Sequence, residues 1–177
     1  STDELTAIFK DLHAHPEVGF TEIRTAAIVA DTLLEYGVDE VHTGIGETGV
    51  VGLIKGNREG QRRIGLRAGI DALPIHEETN LPYSSTKPGV MHACGHDVHI
   101  TSLVGTARQM TRRKNEWAGT LMLLLQPAEE RRNGATAMRE VKIWGRFGEP
   151  DYAVAFQRWR GKRRGKITST GASRYAG

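Results

Sequence analysis

The sequence predicts a layered α/β domain, on three observations. The first third carries apolar residues at helical spacing. The middle carries short runs that alternate like strands, and TLMLLLQ at 120–126 is a continuous apolar run that Pro127 ends. Strands interleaved with helices give a sheet covered by helices. A chain of 177 residues suits one such domain with a sizeable core, or most of one.

Taken in order, Leu5, Ile8, Phe9 and Leu12 set a first helix, and Pro16 closes it. Ile23, Ala26, Ala27, Ala30, Leu33 and Leu34 form the inward face of a second, with Gly37 where a left-handed C-cap is expected. VVGLI (50–54) and RIGLRAGID (63–71) read as strands joined through GNREG, by a hairpin or a short connection. Residues 72–95, with three prolines, form a long irregular loop, and loops of that length inside a domain usually carry function. A helix is predicted from about His99 to Arg113 with Leu103, Val104, Ala107 and Met110 inward. The buried strand 120–126 follows, then a short helix around 130–140 and strands near 152–157 and 166–170.

Composition excludes several classes. No apolar run approaches a bilayer span, and STDELTAIFK lacks the layout of a secretory signal. A single cysteine excludes an intramolecular disulfide, which makes a cytoplasmic location the default. Net charge is +3 but uneven: residues 1–130 hold 12 basic against 18 acidic side chains, and residues 131–177 hold 12 against 3. A basic C-terminal third suits an acidic partner, nucleic acid included, or a solvated loop.

Two segments carry chemistry. MHACGHDVH (91–99) holds the lone cysteine and three of seven histidines, and PAEE (127–130) directly follows the buried strand. Both fall where an open α/β sheet places its sites, in loops beyond strand ends. Thiolate, imidazole and carboxylate are the zinc ligand set. Cys94 and His96 can face one ion if the segment is extended or turned, which Gly95 permits, and Asp97 could orient a ligand imidazole. Glu129 and Glu130 side by side need a cation to offset them, one as ligand and the other as general base on a water. The rival readings are a Cys–His nucleophile pair, and a carboxylate pair that merely stabilises a helix N-terminus.

The run LRAGIDALPIHEETNLPYSSTKPGVMHACGHDVH, with GTLMLLLQPAEERRNGATAM, resembles the metal-dependent amidohydrolases that include hippurate hydrolase, indole-acetyl-amino-acid hydrolases and N-acyl-amino-acid amidohydrolases. DLHAHPEVGFTEIRTA and GETGVVGLI match the opening of that family. The resemblance implies a zinc-peptidase-like catalytic domain with a mixed, mostly parallel sheet flanked by helices. It implies a site for two ions, zinc or another divalent metal such as manganese, cobalt or nickel. Carried over by position, Cys94, His96 and Glu130 are metal ligands and Glu129 is the general base, for hydrolysis of the amide bond of N-acyl amino acids by metal-activated water. His92, Asp97 and His99 match supporting positions, and His13, His15 and Glu17 match a segment read as packing around the first helix. His42 and His76 are expected to face solvent.

Four departures stand against the family pattern. Gly69 replaces an Asp, in RAGIDALP rather than RADMDALP, while Asp71 is kept. Gln157 stands where a further ligand His is expected, and a neutral amide is a poor zinc ligand. RWRGKRRGK at 158–166 replaces prolines and apolar residues; as a nucleic-acid contact it is the weaker reading. The chain ends at GASRYAG, so the expected organisation is the N-terminal portion of the catalytic domain (1–177), without the lid and dimerisation domain, the C-terminal part and its final ligand His. A sheet cut there leaves an edge that favours self-association into a homo-oligomer. The alternative to the enzyme is a catalytically inactive metal-binding fragment acting as scaffold or assembly partner.

Overall fold

The structure, a computed structural model, describes residues 2–156. Gln157, the basic run 158–166 and the strand expected near 166–170 lie outside the described residues.

The elements in chain order are α1 (Thr2–Ala14), α2 (Ile23–Glu35), β1 (Glu40–Ile45), β2 (Gly49–Lys55), β3 (Arg58–Gly69), α3 (His96–Arg112), β4 (Ala118–Gln126), α4 (Gly134–Glu140), α5 (Ile143–Phe147) and β5 (Tyr152–Ala155). The five strands form one mixed sheet in the order β1-β2-β4-β3-β5. The pairs β1–β2 and β2–β4 are antiparallel, and β3–β4 and β3–β5 are parallel. α1, α2 and α3 cover one face, where Leu12, Val29, Leu33, Leu103 and Val104 meet Val50, Ile54, Leu66, Leu123 and Leu125. The other face packs Val51, Leu53, Met122 and Leu124 against Met138, Ile143 and Phe147 of α4 and α5.

β4 lies at the centre and is apolar on both faces, as its sequence requires. Leu123 and Leu125 are fully buried, on the order of 2 kcal/mol each. The PAEE loop therefore leaves from one of the best-anchored points in the sheet.

Several expectations need correction. Of the two readings of GNREG the short connection holds and the hairpin does not, because β4 separates β2 from β3; the connection is pinned to the start of β4, with Gly56 N–H donating to Gly119 O (2.9 Å) and Arg58 N–H to Trp117 O (3.2 Å). β1 was not legible: EVHTGI is half-exposed at the sheet edge, and Gly44 bends it with φ 70°. α3 begins at His96, three residues earlier than predicted, because Gly95 at φ 85° turns the chain into the helix and polar side chains fill the first turn. α4 begins at Gly134 rather than near 130, since Ala128 (φ 45°) and Arg132 (φ 59°) hold residues 127–133 in a tight non-helical loop. Ile23, Ala27 and Leu34 are exposed, although the spacing puts all three on the inward face of α2. That stripe is Ala26, Val29, Ala30 and Leu33; Ile23 precedes the first residue it covers, and Leu34 lies to its side.

Candidate metal centre

Two connections meet beyond the C-terminal ends of β3 and β4. One carries Cys94, Gly95 and the first turn of α3, and the other is 127–133. Ligand atoms of Cys94, His96 and Glu130 lie within 4.8 Å of one another. The three residues assigned as ligands are thus brought together from two segments.

His96 is fully buried and its orientation is fixed from behind. Its Nδ1–H donates to the backbone carbonyl of Asp71 at 2.7 Å. The Asp71 Oδ1 lies 3.3 Å from the same nitrogen, but the shorter carbonyl contact is the bond that defines the tautomer. Nε2 is left to face the carboxylates, 3.6 Å from Glu129 Oε2 and 3.9 Å from Glu130 Oε1. Burial opposes protonation of this imidazole, yet the bonds to Asp71 and the charges around it outweigh burial and hold its pKa above the ordinary value. For Asp71, burial would raise the pKa, and the contacts from His96 and from the Glu130 and Glu129 amides overcome it, holding the carboxyl below the usual range. Its Oδ2 accepts the Glu130 N–H at 2.9 Å, so one carboxyl braces both segments.

Burial, helped by the neighbouring Glu130, Glu129 and Asp71, pushes the Cys94 thiol up to about 12. A thiol held protonated at neutral pH does not suit the Cys–His nucleophile reading. It does suit a ligand that releases its proton only to a cation. The helix-cap reading of Glu129 and Glu130 also fails, because α4 starts four residues later and Asn133 is its N-cap residue. Glu130 Oε1 is buried with no hydrogen-bond partner among the described residues. A donor set of thiol, imidazole Nε2 and an unpartnered carboxylate oxygen fits a divalent cation, borderline-soft ones best.

Glu129 is the more exposed of the pair. Its Oε1 lies 3.8 Å from Arg67 Nη2, and Arg67 Nε donates to Gln126 Oε1 at 2.9 Å. Arg67 was not singled out from the sequence, since an Arg on an alternating strand reads as a solvent-facing position.

The supporting positions divide. Asp97 is buried and accepts from His13 Nδ1 at 2.6 Å, while His13 Nε2 contacts Glu77 Oε1 at 3.0 Å. The segment around His13 is thus packing, as expected, but it packs against the residue beside His96. The His99 ring lies 5.5 Å from that of His96. His92 is buried with both ring nitrogens lacking a hydrogen-bond partner among the described residues, and burial lowers its pKa to about 4. His15 Nδ1–H donates to Asp11 O (2.8 Å), and Glu17 accepts from Thr25 N–H (2.8 Å) at the start of α2. His76 is exposed, whereas half-exposed His42 also packs on Phe147 at 4.8 Å.

Glu22, like Arg67, carries no signal in the sequence. Glu22 is fully buried, accepting from Ala128 N–H at 2.8 Å and from Thr48 Oγ1–H at 2.6 Å. It holds Ala128, with φ 45°, directly before Glu129. A Glu in front of an apolar helix reads as a cap, and nothing in its spacing reveals the inward turn.

With this geometry in view, the relatives become informative. The sequence profile of peptidase family M20/M25/M40 matches residues 65–168, more than half of the chain. The chain belongs to this family. Members of peptidase family M20/M25/M40 are hydrolases, metallo-amidohydrolases among them. Hippurate hydrolase of Campylobacter jejuni is 49% identical over 154 residues, 86% of this chain and 39% of that protein. N-acetylcysteine deacetylase of Bacillus subtilis is 41% identical over 152 residues, 82% of this chain and 40% of that protein. The chain therefore spans about two-fifths of the length of these curated relatives. Among solved structures, the Bacillus subtilis YXEP protein, a dinuclear metal-binding peptidase of the M20 family, superposes with a TM-score of 0.83 at 39% identity. That match covers 90% of this chain and 43% of the other.

Proposed function

We propose that this chain is the N-terminal portion of the catalytic domain of a metal-dependent amidohydrolase that cleaves the amide bond of N-acyl amino acids. In this reading Cys94, His96 and Glu130 hold a divalent ion, zinc or a similar metal, and Glu129 is the general base. The observation that carries it is the convergence of those three ligand atoms within 4.8 Å, with Glu129 Oε2 3.6 Å from His96 Nε2. Two relatives named for N-acyl amino acids support the substrate class.

The bound ion would polarise the scissile carbonyl and make water acidic enough to deprotonate near neutral pH. This chain's own residues do the rest. Asp71 fixes the His96 tautomer, so that Nε2 presents its lone pair to the site. Glu129 takes the proton of the attacking water at its carboxylate and delivers it to the leaving nitrogen. Arg67, braced by Gln126, provides positive charge beside the other Glu129 oxygen.

No helix among the described residues is long and apolar enough to cross a membrane. A cytoplasmic location is the part of the proposal that rests on the single cysteine. Among the described residues β5 is an outer strand with Tyr152 and Val154 exposed, so self-association along that edge belongs to the proposal.

The test measures metal content of the purified protein beside hydrolysis of hippurate, N-acetylcysteine and other N-acyl amino acids. Glu129→Gln is expected to retain metal and lose about 10²–10⁴-fold in turnover. Glu130→Gln is expected to lose metal and turnover together. Wild-type protein without bound metal or turnover would sink the enzyme reading and leave the scaffold.

A further inference from the structure

Gly69 is the last residue of β3, in parallel register with Gln126 at the end of β4. It is buried, and it does not belong to the positive-φ residues, so its backbone would accept an ordinary side chain without strain. What excludes a side chain is His96. A Cβ built on Gly69 would stand 2.8 Å from His96 Cε1, 2.9 Å from Nε2 and 3.1 Å from Nδ1. All three contacts are shorter than van der Waals distance. They involve the one edge of the imidazole that carries both nitrogens, one bonded to Asp71 and the other facing Glu129 and Glu130. The ring has little room to retreat: it is 1% exposed, it is tied to Asp71 from Nδ1, and His99 stacks obliquely beside it.

We propose that Gly69 is a positioning residue for the metal centre, the missing Cβ forming the seat on which the His96 imidazole lies. This rests on the ligand assignment above. It changes the meaning of the departure from RADMDALP: in this chain the imidazole occupies space that the first carbon of an Asp would need, so Gly69 is part of how this site is built. The ring and a side chain at 69 cannot both keep their places.

Metal binding and metal-free stability test this separately. Gly69→Ala should weaken zinc affinity, read by competition with a chromogenic chelator, by at least about tenfold, the scale seen when support of a ligand imidazole is disturbed. Substituted cobalt should show a changed visible absorption spectrum. Gly65→Ala, elsewhere on β3, is the control. Its Cβ would meet Pro150 at 3.4 Å and Leu124 Cδ1 at 3.6 Å, ordinary contacts, and its affinity should match wild type.

In the metal-free protein, Gly69→Ala should lower Tm in the wild-type background. It should be neutral or slightly stabilising in a His96→Ala background, where the ring is gone and replacing Gly only restricts the unfolded chain. Unchanged zinc affinity in Gly69→Ala, tighter binding in Gly69→Asp, or an equal loss of Tm in both backgrounds would overturn the proposal. The metal-free cycle does not depend on the ligand assignment. A coupling there in a chain that binds no zinc would remove the metal reading and keep the seat. If Gly69→Ala does not fold, folding of the Gly69→Ala, His96→Ala double variant supports the collision, and its failure to fold overturns it.

Discussion

His96 is 1% exposed and is held by bonds to its own ring, whereas Glu129 and Glu130, with side chains 30% and 22% exposed, are held through the backbone around them. The imidazole has a tautomer set by Asp71 and a seat on Gly69. The carboxylates hang from a loop whose amides are gripped at Ala128 by Glu22 and at Glu130 by Asp71. The same loop is closed on itself: Gly134 N–H donates to Ala128 O (3.3 Å), and a Cβ on Gly134 would collide with Pro127 O. One half of the site is rigid at the side chain and the other at the peptide. A ligand that must keep one tautomer benefits from the first arrangement, and carboxylates that must follow a proton or an ion benefit from the second.

The hardest test of that comparison is Glu22→Ala. It strips the acceptor from Ala128 N–H, leaves Thr48 unpaired and opens space beneath the loop. Loss of buried hydrogen bonds of this kind costs about 3 kcal/mol, which lowers Tm by roughly 6–12 °C in a domain of this size. Thermal melts should show that drop, and zinc titrations should show weakened binding although Glu22 does not approach the ligands. Stability lost with full zinc affinity would mean that the loop holds its carboxylates without Glu22.

Asp71→Asn probes the point where the halves join. Asn keeps the oxygen that accepts the Glu130 N–H, and a neutral amide replaces the charged Oδ1 that lies 3.3 Å from His96 Nδ1. The backbone carbonyl of residue 71 is untouched and still accepts the Nδ1–H at 2.7 Å. Zinc affinity should fall by about 10–100-fold. The loss of Tm should be smaller than for Glu22→Ala, because only one of several bonds to the segment changes. An unchanged affinity would show that the carbonyl alone fixes the imidazole, sharpening the contrast between the two halves.

The apolar architecture was legible because it is periodic. α1, α2 and β4 follow from spacings of 3.6 and from one continuous apolar run. β1 and α5 were not, since EVHTGI and IWGRF are short and borrow their stability from β2 and from the second core. Within the candidate site, the grouping of Cys94, His96 and Glu130, with Glu129 beside them, was readable because ligand chemistry and local motif coincide there. Glu22 and Arg67 were unreadable for the opposite reason. Their partners, Ala128 and Glu129, stand far along the chain, and only the β3–β4 pairing and the packing of α2 bring them together.

The smallest expected effect concerns the wall behind the rigid half. His13 sits between Asp97, next to His96, and Glu77 of the long loop 72–95. For Glu77, burial would raise the pKa, but hydrogen bonds from Thr79, from Ser85 N–H (2.6 Å) and from His13 outweigh it and pull the value down to about 2. For His13, burial acts to lower the pKa and the bonds to Asp97 and Glu77 overcome it, so the value is raised. A carboxyl with a depressed folded pKa contributes stability that is complete above its unfolded value, near 4.5, and lost as pH falls toward about 2. The His13 contribution has the opposite sense: complete below about 6.5 and lost as pH rises through its raised folded value. In melts of the metal-free protein the contribution of this pair to Tm should therefore form a plateau between those limits and decline on both sides, superimposed on the separate loss that buried His92 adds as pH falls from about 6.5 toward 4. Glu77→Gln should flatten the acidic decline and lower the plateau by a few degrees, leaving zinc affinity near wild type because Asp97 still holds His13. If zinc affinity instead fell as far as in Asp71→Asn, loop 72–95 would have to be counted as part of the rigid half.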